Sequence, residues 1–104
     1  MEVIVIGHTY KVSNFEDKYA EGQTIQFIHK DVIEEGSKEL KTVADGTTNE
    51  ELLEVLIDRM NYLQGKFPCR ENEIVITKLE ESLMWLNKRT TDRVKRNVEG
   101  KYTK

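Results

Sequence analysis

The feature that most restricts the fold is the stretch of residues 69–99, which contains neither glycine nor proline. It carries an apolar stripe at helical spacing, formed by Ile76, Leu79, Leu83, Leu86 and Val94. This spacing predicts one continuous helix from about Arg70 to Asn97, ended by Gly100. Such a helix has roughly 28 residues and is about 42 Å long at 1.5 Å per residue. Its apolar stripe has to be covered by another element.

A shorter helix is predicted directly before this stretch. Thr48 and Glu51 fit a capping box at its start, and Gly65 is placed to end it. Its apolar positions also follow helical spacing: Leu52, Leu53, Leu56, Ile57, Met60 and Leu63. A connection as short as the corner at Phe67 and Pro68 makes the two helices antiparallel neighbours. The single cysteine, Cys69, is predicted to be buried there.

Residues 1–45 are predicted to form a small antiparallel β-sheet, because β-branched and aromatic residues alternate with turn signals. The predicted strands are Glu2–Ile6, Thr9–Asn14, Thr24–Lys30 and Glu39–Ala44. The connections are too short for the crossovers that parallel strands need. The predicted fold class is therefore α+β, a small N-terminal antiparallel sheet followed by a long antiparallel α-helical hairpin. We expect residues 1–104 to form one domain, with 1–45 as the sheet part and 46–104 as the hairpin part.

Positive charge is concentrated at the C-terminal end of the chain. Residues 85–104 contain seven basic and two acidic residues, a net charge of +5, whereas residues 1–84 contain nine basic and seventeen acidic residues, a net charge of −8. Such asymmetry indicates a local anionic partner. A nucleic acid, a nucleotide, a membrane or an acidic protein would each satisfy it.

The long helix is predicted to have a second face that the shorter helix does not cover. At 100° per residue, Trp85 lies about 140° from the centre of the apolar stripe, so one partner helix cannot cover both faces. We expect this second face to meet another subunit, with the sheet, a ligand and solvent as alternatives. Trp85, Arg89 and Arg93 follow each other at four-residue spacing, and guanidinium groups so placed can hold a phosphate. The alternative is a solvated basic helix end that favourably meets the helix dipole.

The sequence offers no recognisable catalytic or metal-binding set. His8 and His29 are the only histidines, and neither has a serine, cysteine or acid at a catalytic spacing. One cysteine allows neither an internal disulfide nor a cysteine-based zinc site. No apolar run approaches the length of about 20 residues that crosses a bilayer, and the opening lacks the features of a secretory signal. We therefore expect a cytoplasmic protein that is not an enzyme, holds no metal and binds no membrane.

Residues 66–100, KFPCRENEIVITKLEESLMWLNKRTTDRVKRNVEG, resemble the helical hairpin of the phage Thoeris anti-defence proteins, which are signalling-nucleotide sponges. The specific part is the pattern FPxREN followed by ITKLEExLMWLxxRTxDR. TIQFIHKD, at residues 24–31, resembles the sheet of these proteins, so the resemblance covers about Gln23 to Gly100. A similar hairpin with the pattern LEEAxMW occurs in the phage anti-CBASS sponge. The hairpin alone therefore does not identify the ligand.

The resemblance implies a protein that sequesters glycocyclic ADP-ribose, the signal of a TIR-domain enzyme, in the cytoplasm of the host bacterium. Sequestration without cleavage would keep the Thoeris effector inactive. The resemblance further implies a homodimer that can assemble into a hexamer, and in some members a separate site for cyclic di- or trinucleotides. Two alternatives remain: a nucleic-acid-binding protein with a basic tail, which the acidic remainder disfavours, and an oligomeric assembly module without a ligand.

Several ligand contacts are implied by the same motif. Arg89 and Arg93 would hold phosphate, and Tyr62 or Phe67 would stack on a base. Asn72 would meet a polar edge of the ligand. The set is completed by Arg70, Thr90 and His29. Structural alternatives stay open: Tyr62 can flank the hairpin core, Phe67 can anchor the corner, Asn72 can bond at the helix start and Arg70 can form an interface ion pair.

Helix geometry adds a constraint to this set. Asn72 and Arg89 are 17 residues apart in the sequence, so on one helix they are separated by about 25 Å. This distance exceeds the size of a compact ADP-ribose derivative. If both residues touch one ligand, they belong to different chains. The expected site is therefore composite, with two equivalent pockets per antiparallel dimer.

Overall fold

The structure, a computed structural model, describes residues 1–32, 34–97 and 101. The chain divides into two compact units, 1–48 and 49–104, close to the predicted change at residue 45. Strands make up the first unit and two helices make up the second, so the predicted α+β class is confirmed. That the two units together form one domain stays a prediction.

The first unit contains two separate antiparallel sheets, where the sequence predicted one. The strands are β1 (Glu2–Val5), β2 (Thr9–Val12), β3 (Gln23–Gln26), β4 (His29–Asp31) and β5 (Lys41–Ala44). The order in the three-stranded sheet is β1-β2-β3, and β4 pairs only with β5 among the described residues. The strand pairs β1–β2, β2–β3 and β4–β5 are all antiparallel, as expected from the short loops.

The prediction of one strand from Thr24 to Lys30 is wrong, because consecutive backbone amides in it bond to different parts of the unit. The Phe27 amide donates a hydrogen bond to the His8 carbonyl at 2.8 Å, whereas the Ile28 amide donates to the Thr47 carbonyl at 2.8 Å. Phe27 and Thr47 form an isolated parallel bridge. The chain therefore leaves the first sheet at Phe27 and enters the second one two residues later.

A glycine makes this change of partner possible. The Thr47 amide donates a hydrogen bond to the Gln26 carbonyl at 2.8 Å, which brings Gly46 against the same peptide group. A Cβ atom on Gly46 would clash with the Gln26 carbonyl oxygen. Glycine is thus required at position 46 by the close approach of two backbone segments.

Both helices of the second unit lie where the sequence predicts them. Helix α1 runs from Asn49 to Lys66 and includes Gly65, which the sequence analysis placed at its end. Helix α2 runs from Arg70 to Lys95, two residues short of the predicted end. Asn97 has a left-handed φ of 57° and marks the departure from the helix. Gly100, the predicted end signal, lies outside the described residues.

The apolar stripe of α2 packs against α1. Its half-buried members are Ile76, Leu79, Leu83 and Leu86, and those of α1 are Leu52, Leu53, Ile57, Met60 and Leu63. Val94 is 61% exposed, so its predicted place in the stripe is wrong. No hydrophobic side chain among the described residues is fully buried. Neither helix is long and apolar enough to cross a membrane.

The corner between the helices is held by one side chain. The Gln64 amide nitrogen donates to the Cys69 carbonyl at 3.1 Å, and the Cys69 backbone amide donates to the Gln64 side-chain oxygen at 3.1 Å. The Phe67 amide donates to the Leu63 carbonyl at 2.8 Å, which continues the helical bonding to the end of α1. Cys69 itself is exposed, so its predicted burial is wrong. Cys69 contributes to the corner through its backbone amide and carbonyl, not through its thiol.

Two glycine substitutions test the backbone approach in the first unit. We expect Gly46→Ala to lower the free energy of unfolding by about 1–3 kcal/mol, because the added methyl group overpacks the Gln26 peptide. The matched change Gly65→Ala meets no atom within 4 Å, and it should raise the free energy of unfolding by about 0.5–1 kcal/mol, since alanine is the better helix former. Urea titration measures both. Equal stability of Gly46→Ala and the unsubstituted chain would contradict the close approach.

Candidate functional site

Aromatic and basic side chains are exposed together at the corner of the hairpin. Tyr62 is 60% exposed and Phe67 is 76% exposed, although both are large apolar side chains. Lys66 and Arg70 flank the corner and are also exposed. The Lys66 ammonium lies 5.5 Å from the centroid of the Tyr62 ring. We call these four residues the corner cluster; an aromatic face beside a cation is suited to a base and a phosphate.

Asn72 lies in the first turn of α2, next to the corner cluster. It is half-buried, unlike its exposed neighbours Glu71 and Glu73. Asn72 precedes Ile76, a member of the apolar stripe, by four positions, so it lies on the side of α2 that packs on α1. Its predicted contact with a ligand stays a prediction, as does its structural alternative.

The other end of α2 exposes a tryptophan and several cations. Trp85 is 62% exposed, and Arg89 and Thr90 are exposed beyond it. The Lys88 ammonium pairs with the Asp92 carboxylate at 3.0 Å. Arg89 has no ion-pair partner within the part of the chain that the structure describes. Its guanidinium is therefore available for an anion.

Arg93 differs from Arg89, the other predicted phosphate contact, because it is buried. Its exposed fraction is 4%, and its Nη2 donates a hydrogen bond to the Lys101 carbonyl at 2.9 Å. Arg93 follows Leu86 by seven residues, which is close to two full helical turns, so it lies near the apolar stripe. The prediction that Arg93 shares an exposed face with Trp85 and Arg89 is wrong. Its contact with a ligand phosphate stays a prediction.

The two groups of predicted contacts are far apart on one rigid element. Helix α2 is continuous from Arg70 to Lys95. Asn72 and Arg89, 17 residues apart in the sequence, are therefore separated by about 25 Å along its axis. One hairpin does not bring the corner and the far end of α2 to the same small ligand.

A groove between α1 and α2 has the wrong charge for a phosphate ligand. Its volume is about 570 Å³. The lining residues are Glu54, Ile57, Asp58, Asn61, Glu80, Leu83, Met84 and Asn87. Its three acidic side chains have no ion-pair partner among the described residues. Like charges this close to a bound phosphate would weaken binding, so the groove is a poor candidate for the anion site.

His29, the predicted contact from the first unit, belongs to an aromatic group there. Its ring stacks on His8 with centroids 3.5 Å apart and planes 7° from parallel. Tyr10 meets Phe27 edge to face at 5.9 Å. All four rings are half-buried. In this unit His29 has a packing partner, and its contact with a ligand stays a prediction. Among all the described residues, no three His, Cys, Asp or Glu side chains form a group that could hold a metal ion.

Residues 24–91 match the family of the Acb2/Tad1 hairpin domain. The chain belongs to this family. The matched region includes every predicted ligand contact except Arg93. Family membership confirms the resemblance that the motif at the corner and along α2 indicated.

A relative carries a more specific name. The Bacillus phage SBSphiJ7 protein "Thoeris anti-defense 1" is 46% identical to this chain over an alignment of 94 residues. The alignment covers 89% of this chain and 59% of that protein. The chain thus spans 59% of the length of the relative it matches. The identity extends well beyond the hairpin family match at residues 24–91.

Sequence reasoning missed two residues of the corner. The Gln64 side chain forms two hydrogen bonds to the backbone of Cys69 across the corner, and the Lys66 ammonium lies over the Tyr62 ring. A signal for Lys66 was present, because side chains four residues apart on a helix are neighbours and Tyr62 precedes it by that spacing. No comparable local signal identifies Gln64, since its partner is the backbone on the far side of the corner.

The Lys88–Asp92 ion pair near the far end of α2 leads to a prediction about the pKa of Asp92. The hydrogen bond from Lys88 lowers the pKa of the Asp92 carboxyl, and the charge of Lys88 and then those of Lys95 and Arg96 add to the effect. A lowered folded-state pKa contributes stability above the unfolded-state pKa, and this contribution is lost as the pH falls through the folded-state pKa. We expect Lys88→Met to raise the pKa of Asp92 toward its ordinary value.

An NMR pH titration of the Asp92 side-chain carbon measures this change. Lys78→Met is the matched control, because Lys78 pairs with Glu81 on the same helix and is not among the causes of the Asp92 shift. An Asp92 pKa that is equal in Lys88→Met and the unsubstituted chain would contradict the assignment.

Proposed function

We propose that this chain is a phage anti-defence sponge that binds glycocyclic ADP-ribose in the host cytoplasm and holds it without cleaving it. The family match and the name of the Bacillus phage relative support an anti-defence role. Withholding the signal would leave the Thoeris effector inactive. No turnover is needed, because a stoichiometric binder with slow dissociation lowers the free signal concentration.

The observation that carries the proposal is the division of the candidate contacts between the two ends of α2. The corner offers aromatic faces for a base, and Arg89 at the far end offers a guanidinium for a pyrophosphate. About 25 Å of continuous helix separates Asn72 from Arg89. Two chains with antiparallel α2 helices would bring the corner of each next to Arg89 of the other. The proposed site is therefore composite, and a two-fold axis makes two of them.

The exposed apolar surface of the hairpin supports such a homodimer. No described hydrophobic residue is fully buried in the single chain. The hairpin exposes Val55, Leu56, Tyr62, Phe67, Ile74, Val75, Met84, Trp85 and Val94. This number of exposed apolar side chains on one hairpin favours a surface that another molecule covers. We assign part of this surface to a second copy of the chain, and further assembly to a hexamer would cover more of it.

Within this site Arg89 is the principal phosphate contact that we propose. It is exposed and has no ion-pair partner in the described part of the chain, whereas Arg93 is buried and bonded to the Lys101 carbonyl. Thr90 adds an exposed hydroxyl beside Arg89. Tyr62 or Phe67 stacks on the base, and Arg70 and Asn72 meet polar groups of the ligand. His29, in the first unit, stays a predicted ligand contact, and we propose cyclic di- or trinucleotides as ligands of a separate site.

A thermal-shift screen tests the ligand and the role of Arg89. Glycocyclic ADP-ribose at about 100 times its dissociation constant should stabilise the protein by roughly 2.7 kcal/mol, a shift of several degrees. Arg89→Ala should weaken binding by about 10- to 100-fold, because a hydrogen bond to a charged group is lost. Lys95→Ala, a change of another exposed cation on α2, should bind as the unsubstituted chain does. Chromatography of the ligand after heat denaturation should recover it intact.

Other outcomes of this screen would contradict the proposal. Recovery of a cleaved product would indicate an enzyme. Stabilisation by linear ADP-ribose or NAD equal to that by the cyclic compound would remove the selectivity for the signal. Binding to DNA that falls steeply with salt would support the nucleic-acid alternative instead. Cyclic di- and trinucleotides belong in the same screen, since their binding in Arg89→Ala would indicate the separate site.

Mixing two defective variants tests whether the site is composite. Arg89→Ala and Asn72→Ala should each bind poorly as homodimers. In a heterodimer of the two, one pocket combines the intact Asn72 of one chain with the intact Arg89 of the other, so tight binding should return with half the stoichiometry. Isothermal titration of differently tagged, co-expressed chains measures it. A heterodimer as weak as the two parents would place both residues in a site within one chain, or outside the site altogether.

A further inference from the structure

The Lys66 ammonium contacts an aromatic ring, whereas three other lysines of the structure contact carboxylates. Lys11, Lys78 and Lys88 each pair with a carboxylate. Lys66 forms no ion pair within the described part of the chain, although two glutamates lie just beyond the corner, in the first turn of α2. Its ammonium instead lies 5.5 Å from the centroid of the Tyr62 ring. This distance is within the range of about 6 Å over which a cation is attracted to an aromatic face.

This contact restricts the Tyr62 ring while leaving part of it open. Tyr62 and Lys66 are four residues apart in the last turns of α1, so their side chains are neighbours on the helix surface. The ammonium lies over one face of the ring, yet the residue remains 60% exposed. Part of the Tyr62 side chain therefore stays open to solvent beside the ammonium. Less side-chain freedom is then lost when a planar group stacks on the open part of the ring.

The corner keeps the backbone of this pair helical. The last turn of a helix tends to fray because its carbonyl groups lack partners. Here the Phe67 amide bonds to the Leu63 carbonyl, and Gln64 bonds to the backbone of Cys69 on the other side of the corner. Lys66 lies between these bonds. The four-residue geometry that brings its ammonium to the Tyr62 ring is therefore fixed up to the end of α1.

We propose that Lys66 is a positioning residue of the nucleotide site, which holds the Tyr62 ring so that its open face receives the purine base of the ligand. The inference rests on the proposed function and deepens it, since it selects Tyr62 for base stacking and assigns its orientation to Lys66. Lys66 acts through Tyr62 and does not need to touch the ligand. Its contribution to affinity should therefore vanish when the Tyr62 ring is removed.

A double-mutant cycle measures this dependence by isothermal titration with glycocyclic ADP-ribose. We expect Lys66→Met to weaken binding by about two- to fivefold, a range typical of an exposed cation–π contact. Lys66→Arg should retain affinity, because a guanidinium also stacks on tyrosine. Lys78→Met, the same change at an exposed lysine of α2, should have no effect. In a Tyr62→Leu background, Lys66→Met should cause no further loss.

A ligand-free measurement accompanies the cycle. The ring current of Tyr62 should shift the NMR signals of the Lys66 ε-methylene protons upfield, and Tyr62→Leu should abolish this shift. Lys66 signals at their ordinary positions in the unsubstituted chain would overturn the inference whatever the ligand is.

The binding outcomes separate the inference from the function on which it rests. Tight binding by the unsubstituted chain together with unchanged affinity in Lys66→Met would overturn the inference alone. So would a loss that persists in the Tyr62→Leu background, because Lys66 would then act directly on the phosphates. No binding of glycocyclic ADP-ribose by the unsubstituted chain would overturn the proposed function, and the inference with it.

Discussion

The hairpin depends on the pair of hydrogen bonds by which Gln64 joins the end of α1 to the backbone of Cys69. Only three residues connect the helices, so the chain has to reverse within a very short distance. The amide side chain supplies both a donor and an acceptor, so it can bond both the carbonyl and the amide of Cys69. The Cys69 carbonyl also accepts a hydrogen bond from the Glu73 amide at 3.3 Å, at the start of α2. The direction in which α2 leaves the corner follows from this reversal.

Among the described residues, the groove between the two helices is lined by acidic side chains and by no basic ones. The groove between them is lined by glutamate and aspartate, whereas Arg89 is exposed beside Trp85. The corner adds aromatic rings with Lys66 and Arg70. A phosphate-bearing ligand is thus favoured at the ends of α2 and disfavoured along the groove. Under the proposed function, each hairpin supplies two incomplete halves of a pocket, and the acidic groove discourages binding elsewhere on the same hairpin.

The sequence predicted the helical unit well and the strand unit less well, for a physical reason. Helical bonds are local, so the spacing of Ile76, Leu79 and Leu83 was enough to locate α2. Strand pairing is not local, and nothing in the residues around Phe27 indicates that the next amide bonds to Thr47. Among the candidate contacts, the angle of 100° per residue correctly placed Arg89 away from the apolar stripe. Burial of Arg93 agrees with its seven-residue spacing from Leu86, which places it near the apolar stripe. Its bond to Lys101, beyond the helix, is not revealed by spacing within the helix.

The unbroken length of α2 has a consequence for how such a protein can change. A single residue inserted between the corner and Arg89 would turn the arginine by about 100° and move it by about 1.5 Å relative to the corner. Seven inserted residues would nearly restore its direction but displace it by about 10 Å. Substitutions can therefore adjust affinity gradually, whereas the spacing between the two half-sites can change only in steps of about one or two helical turns. Under the proposed function, the length of α2 would therefore set the distance between the two composite pockets of the dimer.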